Sequence, residues 1–217
     1  MFYFDFHHHK KYPCGIYNWN LNESVPEIPF SAGIHPKDID ENFNENLEKI
    51  KMISQRENCF AIGECGLDSL VSADKKIQED VFLRQIKIAE ELRKPIIIHC
   101  IRSFYEIISF RKHTRQAMII HGFNKKQSVA EDLLKNNFYL SFGKAVLYHL
   151  SLQNIVKMMP LDKMFLETDN EDFNIEELYK KVSEIKEISV ENLHERILEN
   201  VDRLVDTRRK NKDFLEL

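Results

Sequence analysis

The chain begins Met1-Phe-Tyr-Phe-Asp-Phe-His-His-His9, an apolar run that leads directly into an aspartate and three histidines. Successive side chains of a β-strand point to opposite faces, so a strand here places Asp5, His7 and His9 on one face. Imidazoles and a carboxylate on one face can bind a divalent cation. The alternatives are a solvated histidine run or a purification tag. The tag is disfavoured, because the run contains only three histidines and follows a strand-like segment.

The composition is that of a globular domain of enzyme size. With 217 residues the chain fits one sizeable domain or two small ones, and we expect a single domain over residues 1–217. Hydrophobic residues make up 43% and charged residues 30%, which is typical of soluble proteins. The net charge of −4 provides no general attraction for nucleic acid, so a polyanionic substrate would need local cations or a metal.

The sequence predicts no contact with a membrane. No apolar run approaches the roughly 20 residues that span a bilayer, and the first residues lack the pattern of a signal peptide. The four cysteines, Cys14, Cys59, Cys65 and Cys100, form no CxxC pair, which is typical of reduced thiols. We therefore expect a cytoplasmic protein.

Short apolar runs alternate with helical periodicity along the rest of the chain. After the opening stretch, strands are predicted at residues 15–21, 30–36, 59–64, 95–99, 117–121, 138–143 and 164–169. Helices are predicted at residues 39–57, 75–93, 103–112, 127–136, 150–159, 175–187 and 190–207. This alternation indicates parallel strands in a covered sheet.

Ionisable residues end several of these predicted strands, which favours a closed barrel. The strand ends carry His35, Glu64, His99, His121 and Asp169. A (β/α) barrel gathers such ends onto one rim, where its active sites lie. An open doubly wound sheet would spread them along a line, and no glycine-rich turn after the first strand supports nucleotide binding. We predict an α/β fold, a distorted and trimmed (β/α)8 TIM-type barrel.

Six motifs in a fixed order support this prediction. They are Asp5-x-His7-x-His9, Gly33-Ile-His35-Pro36, Ala61-Ile-Gly-Glu64-Cys-Gly-Leu-Asp68, Ile97-Ile-His99, His121-Gly-Phe and Leu166-Glu-Thr-Asp169. In this order the chain resembles the TatD-like metal-dependent hydrolases, a branch of the amidohydrolase-type barrels associated with deoxyribonuclease activity. The match runs from about residue 2 to residue 169, with a weaker echo near Asn200.

The resemblance implies two divalent metal ions held by six side chains. It makes His7 and His9 ligands of one ion, His99 and His121 ligands of the other, Glu64 a bridge, and Asp169 the residue that completes the first site. Nitrogen and oxygen ligands without thiolate fit Zn, Mn, Ni or Mg, and the histidines argue against Mg alone. For His99 or His121 taken alone, a core histidine remains the alternative.

Neighbouring residues have candidate supporting roles. His35 and Arg102 could bind a substrate phosphate, although His35 could cap a loop and Arg102 could form a salt bridge. Asp68, and in a similar way Asp5, could fix an imidazole tautomer. Glu167 could orient a ligand or make a structural hydrogen bond. Lysines that follow predicted strand ends could neutralise a nucleic-acid backbone, and three aromatic residues could stack on bases: Lys37, Lys125, Lys126, Lys144, Tyr17, Trp19 and Phe123.

The expected reaction is phosphodiester hydrolysis by a metal-activated water, with DNA or another phosphodiester as substrate. Asp169 is the candidate general base, and Glu64 is the second candidate catalytic residue. One alternative is an amidohydrolase that acts on an amide or ester, although the bridge here is Glu64 where such enzymes often carry a carboxylated lysine. Another is a metal-stabilised, non-catalytic subunit that binds a protein partner.

The chain departs from the family pattern in its first crossover. The helix–strand–helix that normally follows the first motif is reduced to residues 10–29. We therefore expect one thin side of the barrel, available to a protein partner. The segment after Asp169 and the segment after His121-Gly-Phe also differ from the family, which affects substrate specificity more than the metal ligands.

Overall fold

Eight parallel strands form the centre of the protein. The computed structural model describes residues 2–12 and 14–210. The strands are β1 (Asp5–His8), β2 (Gly15–Trp19), β3 (Phe30–Ala32), β4 (Cys59–Asp68), β5 (Ile96–Ile101), β6 (Met118–Ile120), β7 (Tyr139–Phe142) and β8 (Met164–Leu166). They pair in sequence order, each parallel to the next. The prediction of a parallel α/β barrel is confirmed.

The barrel nearly closes between its first and last strands. His8 and Asp169 form an isolated parallel bridge. The Asp169 amide donates to the carbonyl of His7 at 2.8 Å, and the His9 amide donates to the carbonyl of Asp169 at 3.2 Å. The last residue of the last motif therefore lies beside the first motif, although about 160 residues of chain separate them.

Seven α-helices surround the barrel within the described residues. They are α1 (Phe43–Ile53), α2 (Lys75–Leu92), α3 (Phe104–Phe110), α4 (Gln127–Lys135), α5 (Leu150–Met158), α6 (Ile175–Lys186) and α7 (Val190–Lys210). Helix α2 begins where Asp74 accepts hydrogen bonds from the amides of Lys76 and Ile77, and it ends at Arg93 in the left-handed conformation. Each of these helices is too short or too polar to cross a bilayer.

Helix α1 is shorter than the predicted helix at residues 39–57. It begins only at Phe43, because Asp40 accepts a hydrogen bond from the amide of Asn42 through its side chain. Such a side-chain turn competes with helical hydrogen bonds. The hydrophobic spacing therefore predicts the helix correctly, but not where it begins.

The side of the barrel at β1, β2 and β3 is thin, as expected. Neither residues 9–12 and 14, before β2, nor residues 20–29, after it, contain a helix. The nitrogen of Lys49 in α1 lies 5.7 Å from the ring centroid of Trp19, and the Trp19 ring nitrogen donates to the carbonyl of Ser24. A loop and the neighbouring helix α1 therefore help to cover β2 on this side.

Strand β4 is longer than predicted and irregular where it passes the site. The sequence predicts a strand at residues 59–64, whereas β4 continues to Asp68. Its register against β5 shifts between Ile62 and Cys65, where Gly63 has a φ of 144°. A Cβ on Gly63 would lie 2.4 Å from the carbonyl oxygen of Ile97. Glycine therefore permits the backbones to approach closely beside Glu64.

Candidate metal centre

Glu64 is at the centre of the cluster, and its two carboxylate oxygens face different histidines. Oε1 lies 2.8 Å from Nε2 of His121 and 3.0 Å from Nδ1 of His99. Oε2 lies 3.6 Å from Nε2 of His7 and 3.9 Å from Nε2 of His9. Only 7% of Glu64 is exposed. A buried carboxylate between two pairs of imidazoles can bridge two cation positions.

The second carboxylate of the cluster belongs to Asp169. Its Oδ1 lies 3.3 Å from Nε2 of His9 and 3.8 Å from Nε2 of His7. Asp169 has a φ of 53°, a left-handed conformation that aspartate tolerates better than most residues. The backbone bonds between β1 and Asp169 hold this carboxylate at the same end of the barrel as the two histidines.

His7 provides the test of whether a cation fits here. The residue is fully buried, and neither of its ring nitrogens has a hydrogen-bond partner among the described residues. Its Nε2 faces two carboxylates, of Glu64 and Asp169, at distances beyond a hydrogen bond. Buried polar groups are normally satisfied. An orphaned imidazole nitrogen between two carboxylates therefore fits a divalent cation, whose ligands are of these types.

Three groups of donor atoms converge within 4.8 Å and could each hold a metal ion. They are His7, His9 and Asp169; His7, Glu64 and His121; and His35, Glu64 and His99. All six residues that the sequence assigns as ligands are members of at least one group. His35, which the sequence assigns to substrate binding, is also a member.

The hydrogen bonds of His35 favour a donor role over a metal-ligand role. Its Nδ1 accepts from the amide of Lys37 at 3.0 Å, so a neutral ring carries its proton on Nε2. That Nε2 lies 3.4 Å from Oε1 of Glu64. Burial lowers the pKa of His35 to about 4, which keeps the ring neutral. A protonated Nε2 has no lone pair for a cation but can donate to an anionic oxygen.

The carboxylates of Asp68 and Glu167 lie on the far side of two histidine rings from Glu64. Oδ2 of Asp68 lies 2.9 Å from Nε2 of His99, so Nδ1 of that ring is directed at Glu64. Oε1 of Glu167 lies 3.4 Å from Nδ1 of His121 and accepts from the amide of Gly122 at 2.5 Å. A carboxylate behind an imidazole fixes its tautomer and leaves the other nitrogen free to bind a metal.

Asp5 does not share the ligand face of His7 and His9, contrary to the alternation that the opening stretch suggests. It accepts hydrogen bonds from the amide of Thr168 at 2.9 Å and from the Thr168 hydroxyl at 2.6 Å, and from the Tyr12 hydroxyl. The register of β1 shifts between Asp5 and His8, which explains the difference. Asp5 therefore supports Asp169 indirectly, by holding the residue before it.

The charges of the cluster suit a cation. Burial raises the pKa of Glu64, but the charge and hydrogen bond of His121 outweigh burial and hold this pKa well below its ordinary value. Burial likewise raises the pKa of Asp169, but the hydrogen bond from His9 and the charges of His121 and His7 together outweigh it, so that this pKa also falls. Both carboxylates are therefore ionised at neutral pH.

A cleft of about 560 Å³ opens beside the cluster on the thin side of the barrel. His9, Asn18, His35 and Glu64 line its inner end. Its outer wall comes from the loop after β2 and from the segment that leads into α1, including Lys37, Asp38, Asp40, Asn42 and Asn46. The absence of helices beside β2 therefore leaves an approach to the cluster.

Several predicted substrate contacts are buried or lie outside the cleft. Tyr17, Trp19 and Phe123 are buried, at 4%, 3% and 2% exposure, so the prediction that they stack on bases is wrong. Arg102 is exposed, and no described residue pairs with it. Lys144 lies 3.4 Å from Glu171. Tyr105, which follows β5, is 86% exposed. The hydrophobic pattern of the sequence does not distinguish this exposed aromatic residue from the buried ones.

Comparison with known proteins identifies the family of this chain. The family described as “TatD related DNase” matches residues 17–206. This chain belongs to that family. The TatD-family protein YabD of Bacillus subtilis, named a metal-dependent hydrolase, is 33% identical over 204 residues, which are 84% of this chain and 80% of YabD. The chain is therefore a TatD-family metal-dependent hydrolase.

Two further proteins show the same likeness. A mouse protein named “Putative deoxyribonuclease TATDN3” is 30% identical over 210 residues, which are 88% of this chain and 68% of that protein. The crystal structure of the TatD homologue YJJV from Escherichia coli superposes with a TM-score of 0.80 at 19% identity, covering 93% of this chain and 97% of that one. At this identity the superposition supports the fold.

Proposed function

We propose that this TatD-family hydrolase is a divalent-metal-dependent phosphodiesterase whose substrate is DNA. The observation that carries the proposal is the position of Glu64, whose Oε1 faces His99 and His121 while Oε2 faces His7 and His9. A carboxylate divided in this way is suited to bridge two cations, an arrangement that phosphodiester hydrolysis uses. The proposal treats residues 1–217 as one domain.

We assign the six residues to two metal positions. His7, His9 and Asp169 would hold one cation, His99 and His121 the other, and Glu64 would contact both. When bound, the two cations would neutralise phosphate charge and lower the pKa of an attacking water. Nitrogen and carboxylate donors suit Zn, Mn and Ni, with Mg a poorer match to the histidines.

Asp169 is the residue that we assign to proton transfer. Its side chain is 37% exposed, so water can reach it, while Oδ1 stays within 3.3 Å of His9. A carboxylate in this position can accept the proton of the attacking water and release it to solvent. Glu64 is too buried and too fully engaged by imidazoles to serve as this base.

His35 is the residue that we assign to the substrate phosphate. Its Nε2 proton is fixed by the bond from the Lys37 amide to Nδ1, and the ring lines the cleft. A neutral N–H donor beside the cluster would hydrogen-bond a phosphoryl oxygen and position the ester. Arg102 and the exposed lysines that follow β6 would contact phosphates farther along a strand.

DNA is favoured over other phosphodiesters by the names of the family and of the mouse relative. The chain also has exposed cations without a described carboxylate partner at the ends of adjacent strands, with Arg102 after β5 and Lys125 and Lys126 after β6. Carboxyl ends of adjacent parallel strands lie on one rim. These charges would compensate for the net charge of −4 where a strand approaches.

The proposal is tested by cleavage of a single-stranded DNA oligonucleotide and of bis(p-nitrophenyl) phosphate, with Mn²⁺ added or chelated. We expect hydrolysis of both that requires the metal. Glu64→Gln should lower kcat/KM at least 100-fold, because the amide cannot bridge two cations. Glu131→Gln on the exposed surface of α4 is the matched control and should retain the parent rate.

Amide and ester substrates form the comparison arm of this experiment. Metal-dependent turnover of those substrates without cleavage of either phosphodiester would contradict the proposal. So would equal activity of Glu64→Gln and the parent, which would point to a contaminating nuclease.

A further inference from the structure

One side chain that is not among the six candidate metal ligands holds Glu64 in its orientation through two hydrogen bonds. Asn18, the fourth residue of β2, donates from Nδ2 to Oε2 of Glu64 at 3.1 Å. In return the backbone amide of Glu64 donates to Oδ1 of Asn18 at 3.3 Å. The two strands are not neighbours, because β3 lies between them. The contact therefore runs across the barrel end, from β2 directly to β4.

The two bonds also fix which way the amide of Asn18 points. If its oxygen and nitrogen exchanged places, the oxygen would face a carboxylate and the nitrogen would face an N–H donor. Tyr17 and Trp19, the neighbours of Asn18 along β2, are buried, and Asn18 lines the cleft beside Trp19. The strand thus presents a single polar side chain to Glu64.

Oε2 of Glu64 depends on this donor. Its distances to His7 and His9 exceed those of a hydrogen bond, and within the described residues Asn18 supplies its only side-chain hydrogen bond. Oε1, by contrast, has close contacts with both His99 and His121. Without Asn18 the carboxylate could rotate toward those two imidazoles and withdraw Oε2 from His7 and His9.

We propose that Asn18 is a positioning residue that sets the plane of the Glu64 carboxylate and thereby the metal affinity of the position formed by His7, His9 and Asp169. This inference rests on the two-cation function proposed above. The reason is which oxygen Asn18 holds. It bonds Oε2, the oxygen that faces His7 and His9, whereas Oε1 has its own close contacts with His99 and His121.

Asn18 also approaches one histidine of this position. Its third contact, from Nδ2 to Nε2 of His9 at 3.4 Å, involves the nitrogen that would bind the first cation. A nitrogen that binds a cation cannot also accept this hydrogen bond, so only the two bonds to Glu64 are compatible with a metal-bound His9. Asn18 therefore acts on the first position through Glu64.

The test is Mn²⁺ binding by isothermal titration calorimetry, with the melting temperature of the metal-free protein measured in parallel. The variants are Asn18→Ala and Asn18→Leu, the second of which keeps the side-chain volume. We expect the parent to bind two ions, and both variants to keep one affinity and lose 10- to 100-fold in the other, as is usual for residues that orient ligands. Asn46→Ala, which removes another amide that lines the cleft, should bind both ions like the parent.

A double-mutant cycle assigns the weakened position. In the His99→Ala background the second position is already impaired, so Asn18→Ala should still lower the remaining affinity 10- to 100-fold. Unchanged affinities in the Asn18 variants, or an equal loss at both positions, would overturn the inference while leaving the two-cation function intact. Failure of both variants to fold without metal would also overturn it, since Asn18 would then be structural. A parent that binds fewer than two ions would instead contradict the proposed function.

Discussion

His99 and His121 each have a carboxylate behind the ring nitrogen that does not face Glu64, Asp68 behind His99 and Glu167 behind His121. These pairs set the tautomer, so the ring nitrogen that faces Glu64 has a free lone pair. His35 shows the opposite pattern, because a backbone amide occupies its Nδ1. At the scale of single residues, the hydrogen bond behind each ring therefore separates candidate ligands from a candidate donor.

Replacing Asp68 tests whether the carboxylate behind His99 makes that histidine a metal ligand. Asp68→Ala removes the acceptor behind His99 and should weaken Mn²⁺ binding by about 10- to 100-fold, with a parallel fall in activity. Calorimetric titration and initial rates measure the two effects. Asp132→Ala on the exposed side of α4 is the matched control. Unchanged Mn²⁺ affinity in Asp68→Ala would show that Asp68 does not orient His99.

Replacing His35 tests whether that residue is a hydrogen-bond donor and not a metal ligand. We expect His35→Phe to raise KM for bis(p-nitrophenyl) phosphate about tenfold and to lower kcat, because a phosphate donor is lost, while Mn²⁺ affinity stays within twofold of the parent. His99→Ala provides the comparison for a true ligand. If His35→Phe lost as much Mn²⁺ affinity as His99→Ala, His35 would be a metal ligand.

Strand ends and helix spacing could be predicted from the sequence, because they follow from local residue patterns. The six ligand candidates are recognisable because each sits in a short motif near a strand end. The irregular passage of β4 and the role of Asn18 could not be predicted, because both depend on which backbone lies opposite. The burial of Trp19 depends likewise on how a loop without helices folds over β2.

Helix α2 is tied to the segment before β6 by a carboxylate. Glu90 accepts hydrogen bonds from the Thr114 hydroxyl at 2.5 Å and from the Arg115 amide at 2.8 Å. Burial raises the pKa of Glu90, but these hydrogen bonds outweigh it, and the pKa lies below its ordinary value. A lowered pKa means that the stabilisation is complete above the unfolded-state pKa and is lost as the pH falls through the folded-state pKa.

We therefore expect Glu90→Gln to destabilise the fold by about 1 kcal/mol near pH 7, a modest value because the group is partly exposed. The difference from the parent should shrink as the pH falls below about 4. Urea unfolding of metal-free protein at several pH values measures this, with Glu91→Gln as the control on the same helix. A difference that did not change between pH 7 and pH 3 would contradict the assignment.

The loops after β5 and β6 are expected to bind the phosphates of a long oligonucleotide away from the cluster. Exchanging Arg102, Lys125 and Lys126 together for glutamine should raise KM for a long oligonucleotide several-fold and reduce its dependence on salt. Hydrolysis of bis(p-nitrophenyl) phosphate should not change, because this small substrate reaches only the cluster. Lys87→Gln on α2 is the control for charge. Equal effects on both substrates would show that the loops act on the cluster itself.

Across the whole molecule, the fold brings together residues that the sequence separates. The bridge between β1 and Asp169 closes the barrel, and the same closure brings a carboxylate to the two histidines of the first motif. The missing helices on the side of β2 leave the cleft open. The closed side of the barrel thus positions the candidate ligands, and the thin side gives a substrate access to them.

Anomalous X-ray diffraction from crystals grown with Mn²⁺ tests the central claim most directly. We expect two peaks on either side of Glu64, one beside His7, His9 and Asp169 and the other beside His99 and His121. A map with no peak beside Glu64, or with its only peak outside these six residues, would contradict the account.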